Sequence, residues 1–200
     1  MDIKNPELVA KLTLFRQKRI ERMRKMVNTL HRLGVSVDNK RVLELAGRGS
    51  VGRPHLAKAM LEAGIVATMG EAFDKYIGNG KPAFEPRYPY TPEEAVGLIR
   101  RAGGVAVFAH PGLAGCNHII QRLVDIGLQG LEVYHPSHQP SVRMHYLQLC
   151  QQYGLLATGG SDYHGHHREF VPLGAETVDY QVVMAMKAIA GIKNGKKEDG

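Results

Sequence analysis

The sequence has no tryptophan and only two cysteines, Cys116 and Cys150. They lie far apart and match neither a redox pair nor a Cys/His zinc spacing, which excludes a disulfide framework and a thiolate metal site. A reduced, cytoplasmic compartment is the expectation that follows. No apolar run approaches the roughly 20 residues needed to cross a bilayer, so no membrane partner is expected. The opening MDIKNPELVA has neither the basic head nor the apolar stretch of a secretory signal.

Acidic residues are scarce in one place. Between Lys11 and Arg32, Glu21 is the single acid in a stretch crowded with lysine and arginine, and the whole chain carries a net charge of +7. Such a face is either the solvated side of an amphipathic helix or a landing surface for polyanions such as nucleic acid. No dedicated nucleic-acid-binding module is recognisable. At 200 residues and 44% apolar, the chain can bury a core of its own.

Two rhythms divide the sequence. Residues 1–90 read as a helical module. Asn5 caps a long helix with Pro6 in its first turn and Gly34 beyond its end, and Leu8, Leu12, Phe15, Arg19, Met23, Met26 and Leu30 follow helical spacing. Shorter helices are expected over Asn39 to Ala46, Pro54 to Ala63 and Gly70 to Ile77, then an irregular GNGKPAFEPRYPY. Residues 91–190 alternate helix with short apolar strand, the pattern of parallel βαβ units. Thr91 and Glu94 form a capping box. Helices over Asn117 to Ile126 and Pro140 to Tyr153 separate the strands, and a fourth strand is expected near Leu173 to Val178. The last ten residues, GIKNGKKEDG, mix charge with glycine and read as a flexible tail.

Polar chemistry gathers where the strands end. VAVFA runs into His110, LEVY into His135 with His138 beyond it, and LLATGG into Asp162 and His164. In open α/β sheets and β/α barrels the C-terminal strand edge is where sites assemble. His110, Asp162 and His164 together offer imidazole nitrogen and carboxylate oxygen, donors suited to Zn²⁺, Mn²⁺ or Fe²⁺. A metal there would lower the pKa of bound water and clamp a phosphoryl oxygen. His166 and His167 read as exposed loop residues, His118 and His145 as surface or packing residues, and His31 as a partner for its helix dipole. Arg53 and His55, in GRPH at a helix start, are either plain capping residues or an anion grip. Lys81 and Arg168 are further basic loop residues.

GRPHLAKAM, GGVAVFAHPG, GLEVYHPSHQ and GSDYHG, in this order, resemble the polymerase and histidinol phosphatase (PHP) family of metal-dependent phosphoesterases. The likeness is strongest to the branch acting on 3′,5′-nucleoside bisphosphates and RNA 5′ ends. It implies an α/β fold, a distorted, TIM-like β/α barrel with a helical insertion, with two or three divalent metals (Mn, Zn or Fe) at the strand ends. By motif, His110, Asp162 and His164 correspond to metal ligands, and Arg53, His55 and His138 to positions near the substrate phosphates. His135 stands where related sequences more often have tyrosine and receives no ligand role. The family's His-x-His strand, Ser-Asp-Gly loop, Thr-Asp-His segment and Glu-ending strand are not in this sequence. The expectation is therefore a partial barrel: a truncated, impaired phosphoesterase acting on phosphorylated nucleotides or RNA ends, able to self-associate through an uncovered sheet edge. The alternative is a non-catalytic remnant that binds anions or nucleic acid.

Overall fold

The computed structural model describes residues 1–47, 49–164 and 171–192. Arg48, residues 165–170 and residues 193–200 are outside it, so the expectations for His166, His167, Arg168 and the terminal tail fall beyond the described residues. The chain divides into two compact units, residues 9–89 and residues 1–8 with 90–200.

The first unit is helical. Helix α1 spans Pro6–Arg32, entered through Asn5, whose side chain accepts the Leu8 amide at 3.0 Å. Its apolar stripe is split. Met23, Met26, Val27 and Leu30 are buried in the core of residues 9–89, whereas Leu8 packs with Leu98 and Ala102 in the other unit. Leu12, between the two, is 54% exposed, so helical spacing alone overstates the buried stripe. Helix α2 (Asn39–Ala46) is capped by Asp38, and α3 (Arg53–Glu62) buries Leu56, Ala57, Ala59 and Met60. Thr68 caps the short α4 (Met69–Ala72), which runs on into a π-helical turn over Phe73–Ile77. That turn closes with the Gly78 amide donating to the Phe73 carbonyl at 2.8 Å. Among the described residues, 78–90 hold no helix or strand, as their proline and glycine content predicts.

The second unit is mixed α/β. Helix α5 (Pro92–Arg101) starts at the capping box expected from sequence: Thr91 Oγ accepts the Glu94 amide, and the Glu94 carboxylate accepts the Thr91 amide. Such a cap is worth about 1 kcal/mol. Three parallel strands follow, β1 (Val107–Phe108), β2 (Gly130–Tyr134) and β3 (Leu156–Gly159), lying side by side in sequence order. The first crossover carries α6 (Pro111–Ala114), a 3-10 turn over Asn117–Ile119 and α7 (Ile120–Asp125). The second is α8 (Pro140–Tyr153), whose Tyr146 and Cys150 are one turn apart and both buried. Leu131 and Val133 of β2 are fully buried, each contributing on the order of 2 kcal/mol through removal from water. Burial pushes the Cys150 thiol and the Tyr146 phenol above their usual pKa values.

No fourth strand forms near Leu173 to Val178; the segment turns and bends instead. Pro172 and Gly174, the latter at φ +86°, break the extended run. Ser161 Oγ accepts the amides of Gly174 and Glu176, so side-chain bonds occupy donors that a sheet ladder would use. Helix α9 (Tyr180–Ile189), begun by an Asp179 cap, completes the unit. No described helix is long and apolar enough to cross a membrane.

Candidate functional site

The parallel sheet places the C-terminal ends of all three strands on one edge. His110 follows β1 by two residues, His135 follows β2 directly, and Asp162 follows β3 by three. A non-glycine residue with φ between +20° and +160° pays a steric cost of about 1–2 kcal/mol. Among the described residues, two non-glycines lie there: His110 at φ +32° and Asp162 at φ +47°. Strain of this kind persists where surroundings over-determine it, and it clusters at functional sites. The surroundings here are visible. The Glu132 carboxylate of β2 accepts the His110 amide at 2.7 Å. Buried Ser161, next to Asp162, is tied to residues 174–176.

The imidazoles form a ladder. His110 and His135 ring centroids are 5.5 Å apart, His135 and His138 5.3 Å, and His138 and Tyr146 5.6 Å. Tyr146 Oη donates to Asn117 Oδ1 at 2.7 Å, which anchors the inner end. His135 and His138 are each 3% exposed. Three ring nitrogens, His110 Nδ1, His135 Nε2 and His138 Nε2, are buried without a hydrogen-bond partner. Leaving such groups unpaired costs about 1–3 kcal/mol each, so a cluster of them asks for a ligand or a charge.

Asp162 divides its two oxygens: Oδ2 is 3.5 Å from His135 Nε2, and Oδ1 is 3.7 Å from His164 Nδ1. His164 Nδ1 also meets the Asp162 carbonyl, which can only accept, so Nδ1 carries the proton and Nε2 keeps its lone pair. His138 is set the same way, with Nδ1 donating to the Val133 carbonyl at 2.9 Å. A histidine that gives one N–H to a carbonyl and leaves the other nitrogen free is arranged as metal-ligating histidines are. His138 Nε2, however, faces Gly112 so closely that a Cβ there would lie 2.8 Å away. Beside this ladder His135, Ser161, Asp162, Tyr163 and His164 line a cleft of about 160 Å³.

The donor chemistry suits a divalent cation, but the count falls short. Among the described residues no three His, Cys, Asp or Glu side chains are placed to share one ion. His118 and His145 are exposed, as expected for surface positions, and His145 rests on the Tyr146 ring.

Sequence reasoning missed the residues that hold the site. Glu132 fixes the His110 backbone. Arg143 donates to the carbonyls of His138 and His135 and pairs with Glu176, locking the turn that carries both histidines. The one available signal was Glu132 itself, a carboxylate inside an otherwise apolar strand.

Arg53 and His55 belong to the helical unit. Nδ1 of His55 accepts the Gly52 amide at 3.0 Å, which is capping chemistry. The Arg53 guanidinium lies 5.6 Å from the ring centroids of both Phe73 and Phe84 and donates to the Ile77 carbonyl and Asn79 Oδ1. No carboxylate pairs with it among the described residues. Nearby, Arg22 donates to the Glu85 carbonyl, and its pKa is pulled below the usual arginine value by burial and then by Arg53, Arg87 and Arg19. Lys81 is exposed in the following loop.

No family model matches the chain. The chain is 31% identical over 188 residues to a 3′,5′-nucleoside bisphosphate phosphatase of Chromobacterium violaceum, covering 86% of this chain and 66% of that protein. It is 31% identical over 169 residues to the 5′-3′ exoribonuclease Rnm of Salmonella typhimurium, covering 82% and 58%. It therefore spans about three fifths to two thirds of the length of these curated relatives. A Bifidobacterium adolescentis structure assigned as a metal-dependent phosphoesterase superposes with a TM-score of 0.81 at 28% identity, covering 94% of this chain and 68% of that one. A Chromobacterium violaceum structure described as an amidohydrolase with bound sulfate and no metal superposes with a TM-score of 0.72 at 30% identity, covering 94% and 69%. With four motifs in order along the sequence and two solved folds matched over nearly its full length, this chain belongs to the PHP family of phosphoesterases.

Proposed function

We propose that this chain is a divalent-metal-dependent phosphoesterase acting on phosphorylated nucleotides or RNA 5′ ends, built on a partial β/α barrel. His110, Asp162 and His164 are the donors it contributes. One observation carries this reading: the two described non-glycine residues held at positive φ are His110 and Asp162, both just past strand ends on the same edge. Backbone strain kept at two metal-type side chains favours a site over a packing accident. The relatives named as a nucleoside bisphosphate phosphatase and an exoribonuclease support the substrate class. Arg53, held against two phenylalanine rings with no carboxylate partner among the described residues, suits a phosphate oxygen with His55 beside it in the helical unit; in the α/β unit, His138 is proposed separately as a phosphate-facing position.

Because three donors do not close on one ion among the described residues, metal affinity in this chain is expected to be modest and turnover slow. The test is calorimetric titration of metal-stripped protein with Zn²⁺ and Mn²⁺, beside Asp162→Ala, followed by phosphate release from a 3′,5′-nucleoside bisphosphate. Binding that disappears in Asp162→Ala, with metal-dependent release, supports the reading. Absence of metal binding, or binding indifferent to the substitution, rejects it.

A second reading has its own observation. Arg53, Arg87 and Arg19 all lie close enough to Arg22 to repel it, and Arg22, Lys18, Lys25, Arg87 and Tyr88 line a cleft of about 270 Å³ that also holds Glu21 and Glu85. Guanidinium groups held together against their own repulsion favour a polyanion, so the helical unit would bind nucleic acid with or without catalysis.

A further inference from the structure

His135 receives no role from motif or composition, yet it is a buried polar side chain at the strand edge. It is 3% exposed and lies between His110 and His138 in the ring ladder. Its backbone carbonyl is held by Arg143. Its Nδ1 accepts the backbone amide of Ser137 at 3.1 Å. A backbone N–H can only donate, so Nδ1 is a bare lone pair and the neutral ring carries its proton on Nε2. That nitrogen is buried without a hydrogen-bond partner, and the Asp162 carboxylate approaches it, Oδ2 lying 3.5 Å away.

This is the reverse of the arrangement in His164 and His138, which donate from Nδ1 and keep Nε2 free. His135 cannot offer Nε2 to a cation without becoming an imidazolate, because both nitrogens would then need lone pairs. We propose that His135 is a positioning residue: it donates its Nε2–H to Asp162 Oδ2 and so holds the carboxylate with Oδ1 turned toward the His164 side. Burial of the His135 ring would strengthen such a charge-assisted bond. The proposal deepens the metal-site reading and rests on it only for the consequence in metal affinity; the 3.5 Å approach of Asp162 Oδ2 to His135 Nε2 is present without metal.

Two measurements test it. In metal-free protein, long-range ¹⁵N–¹H NMR of the histidine side chains is expected to show His135 protonated at Nε2 and bare at Nδ1. The Nε2–H resonance is expected to move in Asp162→Asn. An Nδ1-protonated ring, or a resonance that ignores Asp162→Asn, overturns the proposal whatever the metal results. In Zn²⁺ calorimetry, His135→Gln keeps an N–H donor near the same point and is expected to retain affinity within a few-fold. His135→Leu is expected to lose about 10–100-fold, the usual effect of removing a group that orients a ligand. Equal losses in the two variants overturn it, since glutamine would not rescue a direct ligand. If His135→Leu fails to fold, the NMR result decides. If the parent binds no Zn²⁺, the metal-site reading fails, and the His135–Asp162 contact still stands or falls on NMR.

Discussion

At the scale of single residues, the site is distinguished by what its backbone tolerates. Asp162 sits at φ +47°, where a Cβ-bearing residue is strained and glycine is not. Replacing it by alanine removes the carboxylate and keeps the strain, whereas glycine removes both. Asp162→Gly is therefore expected to be more stable than Asp162→Ala by about 1 kcal/mol, measured by urea unfolding, although both lose metal binding. Equal stabilities would mean that the strain is not felt. None of this was legible in the string GSDYH. The motif marked Asp162 and His164 as chemistry-bearing, but their backbone conformations and the tautomers of the surrounding imidazoles come from carbonyls and amides that only the fold brings near.

At the scale of elements, the strand ends are set by how closely β3 approaches β2. The pairing shifts register between Glu132 and Tyr134, and Gly159 ends opposite Tyr134. A Cβ on Gly159 would lie 2.4 Å from both the Tyr134 carbonyl oxygen and its Cβ. Neither atom can retreat without breaking the ladder that carries the chain toward Asp162. Gly159→Ala is expected to cost about 2–3 kcal/mol of stability and to weaken metal binding, read by thermal unfolding and calorimetry together. Helices with local capping signals were anticipated, since Thr91 with Glu94, Asn5 and the proline starting α8 do what their spacing implies, whereas α6 and α9 were not expected. The expected strand near Leu173 failed for a non-local reason, since Ser161 claims its amides from elsewhere in the chain.

At the scale of the whole molecule, the net charge of +7 is unevenly spread, and much of it lies on α1 in the helical unit. Burial lowers the Arg22 pKa first and the neighbouring Arg53, Arg87 and Arg19 lower it further; a bound polyanion would relieve the second of these effects. If that unit holds nucleic acid, binding of a short single-stranded RNA weakens linearly in log salt. Arg22→Ala with Arg87→Ala is then expected to reduce the steepness of that dependence by about 1–2, in a fluorescence anisotropy titration across salt concentrations. An unchanged slope would place the contact elsewhere.

The sequence by itself determined the class of fold, the alternation of helix and strand, the family and the chemistry-bearing side chains at the strand ends. These are written in local signals: caps, periodicities, and short motifs in which neighbouring residues act together. The tertiary structure alone decided which of those side chains share a neighbourhood, how Glu132, Ser161 and Arg143 hold them, and which nitrogen of each imidazole is free. Such features depend on contacts between residues distant in the chain, and a buried hydrogen-bond partner leaves no trace in the sequence next to the group it fixes.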